Sequence, residues 1–201
     1  MTPDDAVDRI GAARLVPVLR LADAAAAERA ASRCFAAGLD VVELTATTME
    51  WASALADLRN REPDRVIGLG TVLDAETARR ALDLGADFLV SPCPAPPVRE
   101  VAGPNLFIEG GWTVAEVIAA GRRGPAKLFP AHVGGTQYLR TLLALDPTLR
   151  VIPTGGIRLA DVRSWLQAGA FAVGVGTDLL GHDDLSAALP GALDQPDAPL
   201  P

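Results

Sequence analysis

Short apolar segments alternate with longer amphipathic segments along almost the whole chain. The short segments are rich in Val, Leu and Ile, as is typical of buried strands, whereas the longer ones carry Ala and Leu at helical spacing. The pattern predicts strands at 14–20, 39–44, 66–70, 87–91, 105–109, 125–129, 149–153 and 171–175. A helix-length segment follows each strand, although the last one is short. The chain is therefore predicted to contain eight βα units.

Capping residues mark the ends of the predicted helices. An Ala-rich helix is predicted to begin after Asp23, a favourable N-cap, and to stop at Gly38. Gly85 and Gly169 close two further helices directly before the next strand. Successive strands end about 22 residues apart, which leaves room for one strand, one helix and two tight loops. This regular spacing favours a single parallel (β/α)8 barrel of the α/β class.

An open doubly wound sheet would give a similar linear pattern, but no G-x-G-x-x-G motif of a dinucleotide-binding sheet follows the first strand. We therefore expect one barrel domain over residues 1–193. Residues 194–201 are rich in proline and are expected to form a flexible tail.

Composition narrows the class of protein. The chain is 49% hydrophobic and 21% charged, so a soluble globule with a substantial core is expected. A net charge of −7 argues against nucleic acid and anionic lipid as partners. No apolar run approaches the roughly 20 residues of a membrane span, and Met1 to Arg9 lack a secretion pattern, so we expect a cytoplasmic protein. Cys34 and Cys93 fit reduced thiols and no metal spacing.

Lys127 is the only lysine in the chain, against seventeen arginines, and it lies in the sixth predicted strand. Strands of a parallel barrel are buried on both faces, so an ammonium there must find a polar lumen or lose its charge. One interpretation is a lysine at a strand end that reaches solvent or pairs with an acid. The other is an amine nucleophile, because burial favours the neutral, reactive form.

Glu43 closes the second predicted strand and raises the same problem of a buried charge. Strands two and six lie opposite each other in an eight-stranded barrel, so inward-facing Glu43 and Lys127 side chains would meet near the C-terminal mouth. A purely structural ion pair is the alternative, but buried pairs contribute little to stability because desolvation offsets the attraction. The pair therefore favours a catalytic use.

Two glycine-rich turns follow the last two strands, at Pro153 to Ile157 and at Val173 to Asp178. Glycine also simply terminates strands, so each turn alone is weak evidence. At adjacent loops of a barrel, freed backbone amides together with a helix N-terminus form a recurrent phosphate site. The two turns therefore predict phosphate binding.

Five segments in order resemble the 2-keto-3-deoxy-6-phosphogluconate (KDPG) and 4-hydroxy-2-oxoglutarate (KHG) aldolases, including the 2-keto-3-deoxy-6-phosphogalactonate branch. They are Val41-Val42-Glu43-Leu44-Thr45, Gly68-Leu69-Gly70-Thr71-Val72-Leu73, Val90-Ser91-Pro92, Lys127-Leu128-Phe129-Pro130-Ala131 and Pro153-Thr154-Gly155-Gly156-Ile157. Each segment is common, but the five in sequence are specific, and the likeness covers about residues 11–181.

The resemblance implies a class I aldolase on a (β/α)8 barrel, usually a homotrimer, with no metal and no cofactor. It would cleave a 2-keto-3-deoxy-6-phospho sugar acid to pyruvate and glyceraldehyde 3-phosphate. Lys127 would form the Schiff base and Glu43 would act as the acid and base. The implied substrate-binding residues are Arg20, Thr45, Thr71, Pro92, Phe129 and Thr154, and the implied phosphate-binding residues are Gly155, Gly156, Gly176 and Thr177.

Several positions depart from the family pattern. Members of the phosphogluconate type usually carry an arginine where this chain has Thr47, and Arg20 is the available replacement. The galactonate branch also lacks that arginine and has a tryptophan nearby, as Trp51 is here, which favours that branch. After strand five the family typically shows Pro-Gly, whereas Glu109 and Trp112 flank the turn here, and both are expected at the active-site face.

Two rival functions stay open. The first is an aldolase for a short unphosphorylated keto acid such as 4-hydroxy-2-oxoglutarate, with Glu109 and Trp112 closing the pocket. The second is a catalytically impaired barrel that only binds a phosphorylated ligand, with the departures at Thr47 and Glu109 as the cause. His132 and Cys93 fit solvated or packing residues, and His182 has no expected role.

Overall fold

The computed structural model describes residues 1–193, in which eight parallel strands form one sheet. The strands are β1 (Leu15–Leu19), β2 (Val41–Thr45), β3 (Val66–Gly70), β4 (Phe88–Val90), β5 (Leu106–Gly111), β6 (Ala126–Leu128), β7 (Val151–Pro153) and β8 (Val173–Val175). Each strand pairs with its sequence neighbour, β8 also pairs with β1, and a single bridge between Thr154 and Gly174 joins β7 to β8. The sheet therefore closes into the expected (β/α)8 barrel.

Helices surround the barrel. They are α1 (Pro3–Ala13), α2 (Ala24–Ala36), α3 (Trp51–Arg61), α4 (Ala75–Asp83), α5 (Pro96–Ala102), α6 (Val114–Gly121), α7 (Ala131–Leu145), α8 (Val162–Gln167), α9 (Thr177–Leu180) and α10 (Leu185–Leu193), with a 3₁₀ turn at Leu159–Asp161. Asp23 caps α2 as expected, since its side chain accepts a hydrogen bond of 2.8 Å from Ala26 N. The predicted tail, residues 194–201, lies outside the described residues.

Helix α1 precedes the first strand and was not foreseen in the division into eight βα units. The residues that favour this helix are close together in sequence: Thr2 and Asp5 form a capping box, and Pro3 occupies the first turn. Ala6, Val7 and Ile10 of this helix are buried against the apolar side chains that fill the barrel. Helix α1 therefore covers the N-terminal end of the barrel.

The core has two parts, separated by the sheet. The larger part lies between the strands and the outer helices, and the smaller part fills the lumen with side chains that include Val16, Phe88 and Ile152. Gly68 leaves space for one of them, because a Cβ at this position would lie 2.4 Å from the Phe88 ring. The lumen is thus closed by packing below its C-terminal end, where the polar residues lie.

Candidate active site

Lys127 on β6 and Glu43 on β2 meet inside the barrel. Lys127 Nζ donates a hydrogen bond of 3.2 Å to Glu43 Oε1, and both side chains are at most 6% exposed. Both residues line a small hollow in the lumen together with Val16, Phe88, Val90, Ile108, Ile152 and Thr154. The inward orientation and the contact predicted from opposite strands are therefore present in the structure.

Gly70 makes room for the Glu43 carboxylate. A Cβ at position 70 would lie 1.9 Å from Glu43 Oε1, far inside van der Waals contact. Gly70 is also the register partner of Thr45 on β2, so its position is fixed by the sheet. The sequence motif contained this glycine, but its packing role depends on the neighbouring strand and could not be inferred from spacing along the chain.

A mouth cavity of about 480 Å³ opens above the pair at the C-terminal ends of the strands. Its lining contains all the expected site residues except Glu43 and Thr45. They are Arg20, Thr71, Pro92, Lys127, Phe129, Thr154, Gly155, Gly156, Gly176 and Thr177. Val18, Ile157, Arg158 and Asp178, which sequence analysis did not single out, complete the lining. Lys127 belongs to both the cavity and the lumen hollow, so its amine lies at the cavity floor.

Thr45 is buried and does not line the cavity. Its hydroxyl lies 3.2 Å from those of Thr47 and Thr48, and 3.5 Å from the Leu19 carbonyl. Thr48 Oγ1 in turn accepts a hydrogen bond from Leu21 N. These threonines connect the ends of β1 and β2, so the direct contact between Thr45 and substrate that the resemblance implies has no support in the lining.

Arg20 and Thr71 lie together on one side of the mouth cavity. Arg20 Nη2 donates a hydrogen bond of 3.3 Å to Thr71 Oγ1, and the Arg20 side chain is exposed. Thr71 has φ of 59°, a left-handed conformation that is unusual for a β-branched residue. Such a conformation costs about 1–3 kcal/mol and is concentrated at functional sites.

Two glycines after β7 adopt conformations that other residues disfavour. Gly155 has φ of 97° and Gly156 has φ of 68°. A Cβ at position 156 would lie 2.5 Å from His132 Nδ1, and the same nitrogen lies 3.2 Å from the Gly155 carbonyl oxygen. The turn therefore brings two residues without side chains to the cavity wall.

The helix that follows β8 is short, as the sequence predicts. Helix α9 has four residues, Thr177–Leu180, and the helix after β7 has six. Because a helix dipole grows with aligned peptide units, a single turn adds little to anion binding. The backbone amides of the two turns and the Thr177 hydroxyl could still bind an anion. The dipole of the four-residue helix α9 would add little to this binding.

Arg158 supplies a cation at the same side of the cavity. Its Nε and Nη2 donate to the two carboxylate oxygens of Asp161 at 2.7 and 2.9 Å. The Asp161 carboxylate raises the pKa of Arg158, so the guanidinium remains charged. Asp178 accepts a hydrogen bond from Leu159 N and lies 3.6 Å from His182 Nε2. No motif pointed to Arg158, because its place on the rim follows from the turn after β7.

Glu109 does not lie at the mouth, contrary to expectation. It is 5% exposed and points outward from β5, where it accepts hydrogen bonds from Ala95 N, Arg99 and Arg123. Burial alone would raise the pKa of this carboxyl, but the Ala95 N–H and the two guanidiniums outweigh it and lower the pKa. The two faces of a strand alternate, and Glu109 is on the face that contacts the helices.

Trp112 also lies away from the mouth cavity. Its ring packs against Tyr138 with centroids 5.1 Å apart, and the Tyr138 hydroxyl donates to the Trp112 carbonyl oxygen. Glu109 and Trp112 therefore do not close the pocket, as the rival for a short keto acid required. Cys93 and His132 are exposed, and Cys34 is buried, which raises the pKa of its thiol to about 11.

Arg20, Lys127 and Arg158 line the cavity, with Asp178 as the one acidic residue in the lining. Carboxylates outside the lining offset two of these cations, because Glu43 contacts Lys127 and Asp161 contacts Arg158. Arg20 is therefore the lining cation that forms no salt bridge within residues 1–193, and it remains available to an anion. Within residues 1–193, no helix has the length and apolar character to cross a bilayer, and no group of three or more His, Cys, Asp or Glu side chains could hold a metal ion.

Comparison with known proteins gives consistent results. A family model described as "Aldolase: KDPG and KHG aldolase" matches residues 7–188. A 2-dehydro-3-deoxy-phosphogluconate aldolase of Haemophilus influenzae is 32% identical over 170 residues, 82% of this chain and 80% of the relative. A 2-dehydro-3-deoxy-6-phosphogalactonate aldolase of Escherichia coli is 29% identical over 149 residues, 71% of this chain and 73% of the relative.

A solved structure shows the same fold. The KDPG aldolase of Legionella pneumophila, with pyruvate captured as a covalent carbinolamine intermediate, superposes with a TM-score of 0.82 at 26% identity. The alignment covers 94% of this chain and 96% of that structure. The match therefore extends over the whole barrel.

Proposed function

Because the chain belongs to the KDPG and KHG aldolase family and is therefore a carbon–carbon lyase, we propose that it cleaves a 2-keto-3-deoxy-6-phospho sugar acid to pyruvate and glyceraldehyde 3-phosphate. One observation carries the proposal: the chain's only lysine contacts a buried glutamate at the floor of an open cavity. An amine and a carboxylate in contact are the groups that Schiff-base chemistry requires.

The first half of the reaction forms the imine. Glu43 takes a proton from the Lys127 ammonium, which is within hydrogen-bond distance, and the neutral amine attacks the C2 ketone of the substrate. A proton then moves from the attacking nitrogen to the alkoxide oxygen, which gives the neutral carbinolamine. Glu43 returns its proton to the carbinolamine hydroxyl, which leaves as water while the nitrogen lone pair forms the C=N bond. The product is a protonated imine with Glu43 ionised again.

The second half breaks the carbon chain. Glu43, directly or through one water, takes the proton of the C4 hydroxyl, and the oxygen lone pair forms the aldehyde carbonyl as the C3–C4 bond breaks. The electrons of that bond move to C3 and the imine, giving an enamine of pyruvate. Protonation of C3 and addition of water to the imine then release pyruvate and the free Lys127 amine.

The cavity has candidate groups for both anionic ends of the substrate. Arg20 and Thr71, which share a hydrogen bond, would hold the C1 carboxylate. The Gly155 and Gly156 turn, together with Gly176 and Thr177, would surround the phosphate with backbone amides and a hydroxyl. We add Arg158 to this phosphate site, because its guanidinium lines the cavity and has N–H donors beyond the two that it gives to Asp161.

Pro92, Phe129 and Thr154 would shape the wall of the same cavity. The Phe129 ring centroid lies 5.8 Å from Lys127 Nζ, so the ring also limits access of water to the amine. Thr154 lines both the mouth cavity and the lumen hollow, as Lys127 does, so it would lie close to the bound substrate. These three residues would therefore determine which substrates fit, without taking part in proton transfer.

Cleavage of 4-hydroxy-2-oxoglutarate is the second candidate, because the matched family comprises both KDPG and KHG aldolases. The structural reason to rank it second is that Glu109 and Trp112 do not narrow the pocket. An impaired, ligand-binding barrel is disfavoured because Lys127 and Glu43 are both present and in contact.

The assembly and location that we propose are a homotrimer in the cytoplasm. Met49 and Leu73, which follow β2 and β3, have exposed fractions of 68% and 51% and would gain from contact with a second copy. Sedimentation equilibrium would test the assembly: a trimer mass supports it, and a monomer mass at micromolar protein contradicts it.

A coupled assay of pyruvate release tests the activity directly. The substrates are the 6-phosphogluconate-derived and 6-phosphogalactonate-derived keto acids, and unphosphorylated 4-hydroxy-2-oxoglutarate. We expect the highest kcat/KM with one of the two phosphorylated epimers. A higher kcat/KM with 4-hydroxy-2-oxoglutarate would favour the second candidate, and no turnover of any of the three would contradict both.

A further inference from the structure

A second hollow, of about 380 Å³, lies at the opposite end of the barrel from the mouth cavity. Its lining comes from the start of α1, the end of α5 and the segments that lead into β5, β6 and β7. Three of the lining residues are arginines, Arg99, Arg123 and Arg150, and Asp4 is the one acidic residue among them. We call it the arginine hollow.

Most of the guanidinium hydrogen-bond donors at the arginine hollow have no protein acceptor. Each guanidinium carries five N–H donors. Over residues 1–193, Arg99 and Arg123 each donate one hydrogen bond, both to Glu109 Oε2, and Arg150 donates none. Three arginines therefore present a concentrated set of donors, at one place, that the described part of the chain does not use.

Packing holds the arginines in place without occupying these donors. The Arg99 guanidinium lies 5.2 Å from the Phe107 ring centroid, and that of Arg150 lies 5.7 Å from the Phe171 centroid. Stacking uses the face of a guanidinium and leaves its N–H edge available. Arg123 is held instead by the buried carboxylate of Glu109. Arg99 is the more constrained of the two arginines at Glu109, because its side chain is 32% exposed, against 49% for Arg123.

The charges around the arginine hollow do not cancel. Glu109 neutralises one of the two guanidiniums it contacts, and Asp4 on the rim offsets one more. Arg150 forms no salt bridge within residues 1–193, so one positive charge is left over on a protein whose total is −7. A purely structural role, in which arginines neutralise the buried Glu109 carboxylate, explains Arg99 and Arg123. It does not explain the presence of Arg150.

We propose that the arginine hollow binds the phosphate group of a small organic phosphate. A phosphate dianion carries three peripheral oxygens and accepts hydrogen bonds from several directions, which suits guanidiniums that converge from different elements. The lining contains no lysine, cysteine, histidine or serine that could act as a nucleophile or base. Catalytic residues of such barrels come from the C-terminal ends of the strands, whereas the arginine hollow lies at the N-terminal ends. The arginine hollow is therefore a binding site and not a second catalytic centre.

Titration calorimetry with inorganic pyrophosphate tests the proposal. The protein used is the full chain with Gly156→Asp, which blocks the phosphate site proposed at the mouth, so failure of either site can be recognised separately. We expect one saturable binding event. Arg150→Glu on this background should weaken it about tenfold or more, because charged hydrogen bonds are lost and repulsion is added.

Arg122→Glu is the matched control, because Arg122 is an exposed arginine next to Arg123 that does not line the hollow. It changes the net charge equally and should leave the dissociation constant within about twofold. Absence of saturable binding at millimolar pyrophosphate, or equal weakening by Arg150→Glu and Arg122→Glu, would overturn the proposal. Tighter binding of citrate than of pyrophosphate would overturn the assignment to phosphate. Arg150→Glu should leave kcat unchanged in the otherwise unmodified enzyme.

Discussion

Lys127 Nζ and Glu43 Oε1 lie 3.2 Å apart across the barrel, although 84 residues separate them along the chain. The contact is possible because β2 and β6 face each other and Gly70 leaves the space that the Glu43 carboxylate fills. Removing one member of a buried pair leaves an uncompensated charge and costs about 3–5 kcal/mol. The stability of the folded protein therefore depends on both residues. Substitutions that test their catalytic roles should keep the size of the side chain.

Glu43→Gln removes the proton carrier while keeping the shape of the side chain. If Glu43 moves protons in several steps, kcat should fall about 10²-fold or more, the range for a positioned acid or base. Steady-state kinetics on the folded variant, with circular dichroism as the control for folding, give the measurement. A kcat close to that of the unmodified enzyme would show that Glu43 only balances the charge of Lys127.

Gly70→Ala tests whether the position of Glu43 matters as well as its charge. The new methyl group would overlap Glu43 Oε1 and push the carboxylate away from Lys127, so we expect kcat to fall about tenfold or more. Gly68→Ala on the same strand is the control, because its methyl group would instead meet the Phe88 ring.

The control should behave differently from the test variant. Overpacking at Gly68 should cost about 1–3 kcal/mol of unfolding free energy while kcat of the folded protein changes little. Urea denaturation and kinetics on both variants would separate the two effects. Equal losses of kcat for Gly68→Ala and Gly70→Ala would contradict a specific role of Gly70 in holding Glu43.

Gly156→Asp places a carboxylate beside the proposed phosphate site. It should raise KM for a phosphorylated substrate far more than KM for 4-hydroxy-2-oxoglutarate. Gly156→Asn is the matched control, because asparagine has the same size and also tolerates φ of 68°, but it carries no charge. If the Asp and Asn variants raise KM equally, the effect is steric and the phosphate assignment loses its support.

Glu109→Gln tests the finding that this residue serves structure and not the mouth. Loss of a buried charge that joins Arg99 and Arg123 should lower the unfolding free energy by about 1–3 kcal/mol, with kcat and KM unchanged. The pKa of Glu109 is held below its ordinary value of 4.5, so its stabilising effect is present above that pH and fades as pH falls through the folded-state pKa.

Denaturation across this pH range gives the check. The difference in unfolding free energy between the unmodified protein and Glu109→Gln should be largest near neutral pH and shrink below pH 4.5. A pH-independent difference would contradict the electrostatic explanation. If Glu109→Gln changed KM for a short keto acid, the result would indicate that Glu109 contacts the substrate.

The sequence predicted the barrel because its units repeat and each is marked by local signals. Apolar segments lie close to every observed strand, Asp23 caps α2, and Gly38 ends the helical segment with φ of 88°. The contact between Glu43 and Lys127 followed from the order of the strands in a closed barrel. Helix α1 lies before the first βα unit, so the repeat of strands and helices does not predict it.

The positions of individual side chains were harder to predict. Glu109 was expected at the mouth because it replaces part of a family motif, but strand alternation places it among the outer helices. Arg158 belongs to no motif, and the turn that places it on the rim is not visible from residue types. Thr45 sits in the expected motif, yet its hydroxyl bonds to neighbouring threonines. Such details depend on contacts between strands and loops that are distant in sequence.

Trapping of the imine tests the central claim most directly. The enzyme is incubated with pyruvate and sodium borohydride, and peptide mapping by mass spectrometry locates the reduced adduct. Because Lys127 is the only lysine, the one other primary amine is the α-amino group of Met1, and the two are separated by mapping. We predict a pyruvyl adduct on the peptide that contains Lys127 and none in Lys127→Arg. An unmodified Lys127 peptide, in protein that releases pyruvate from the same preparation, would contradict the Schiff-base mechanism.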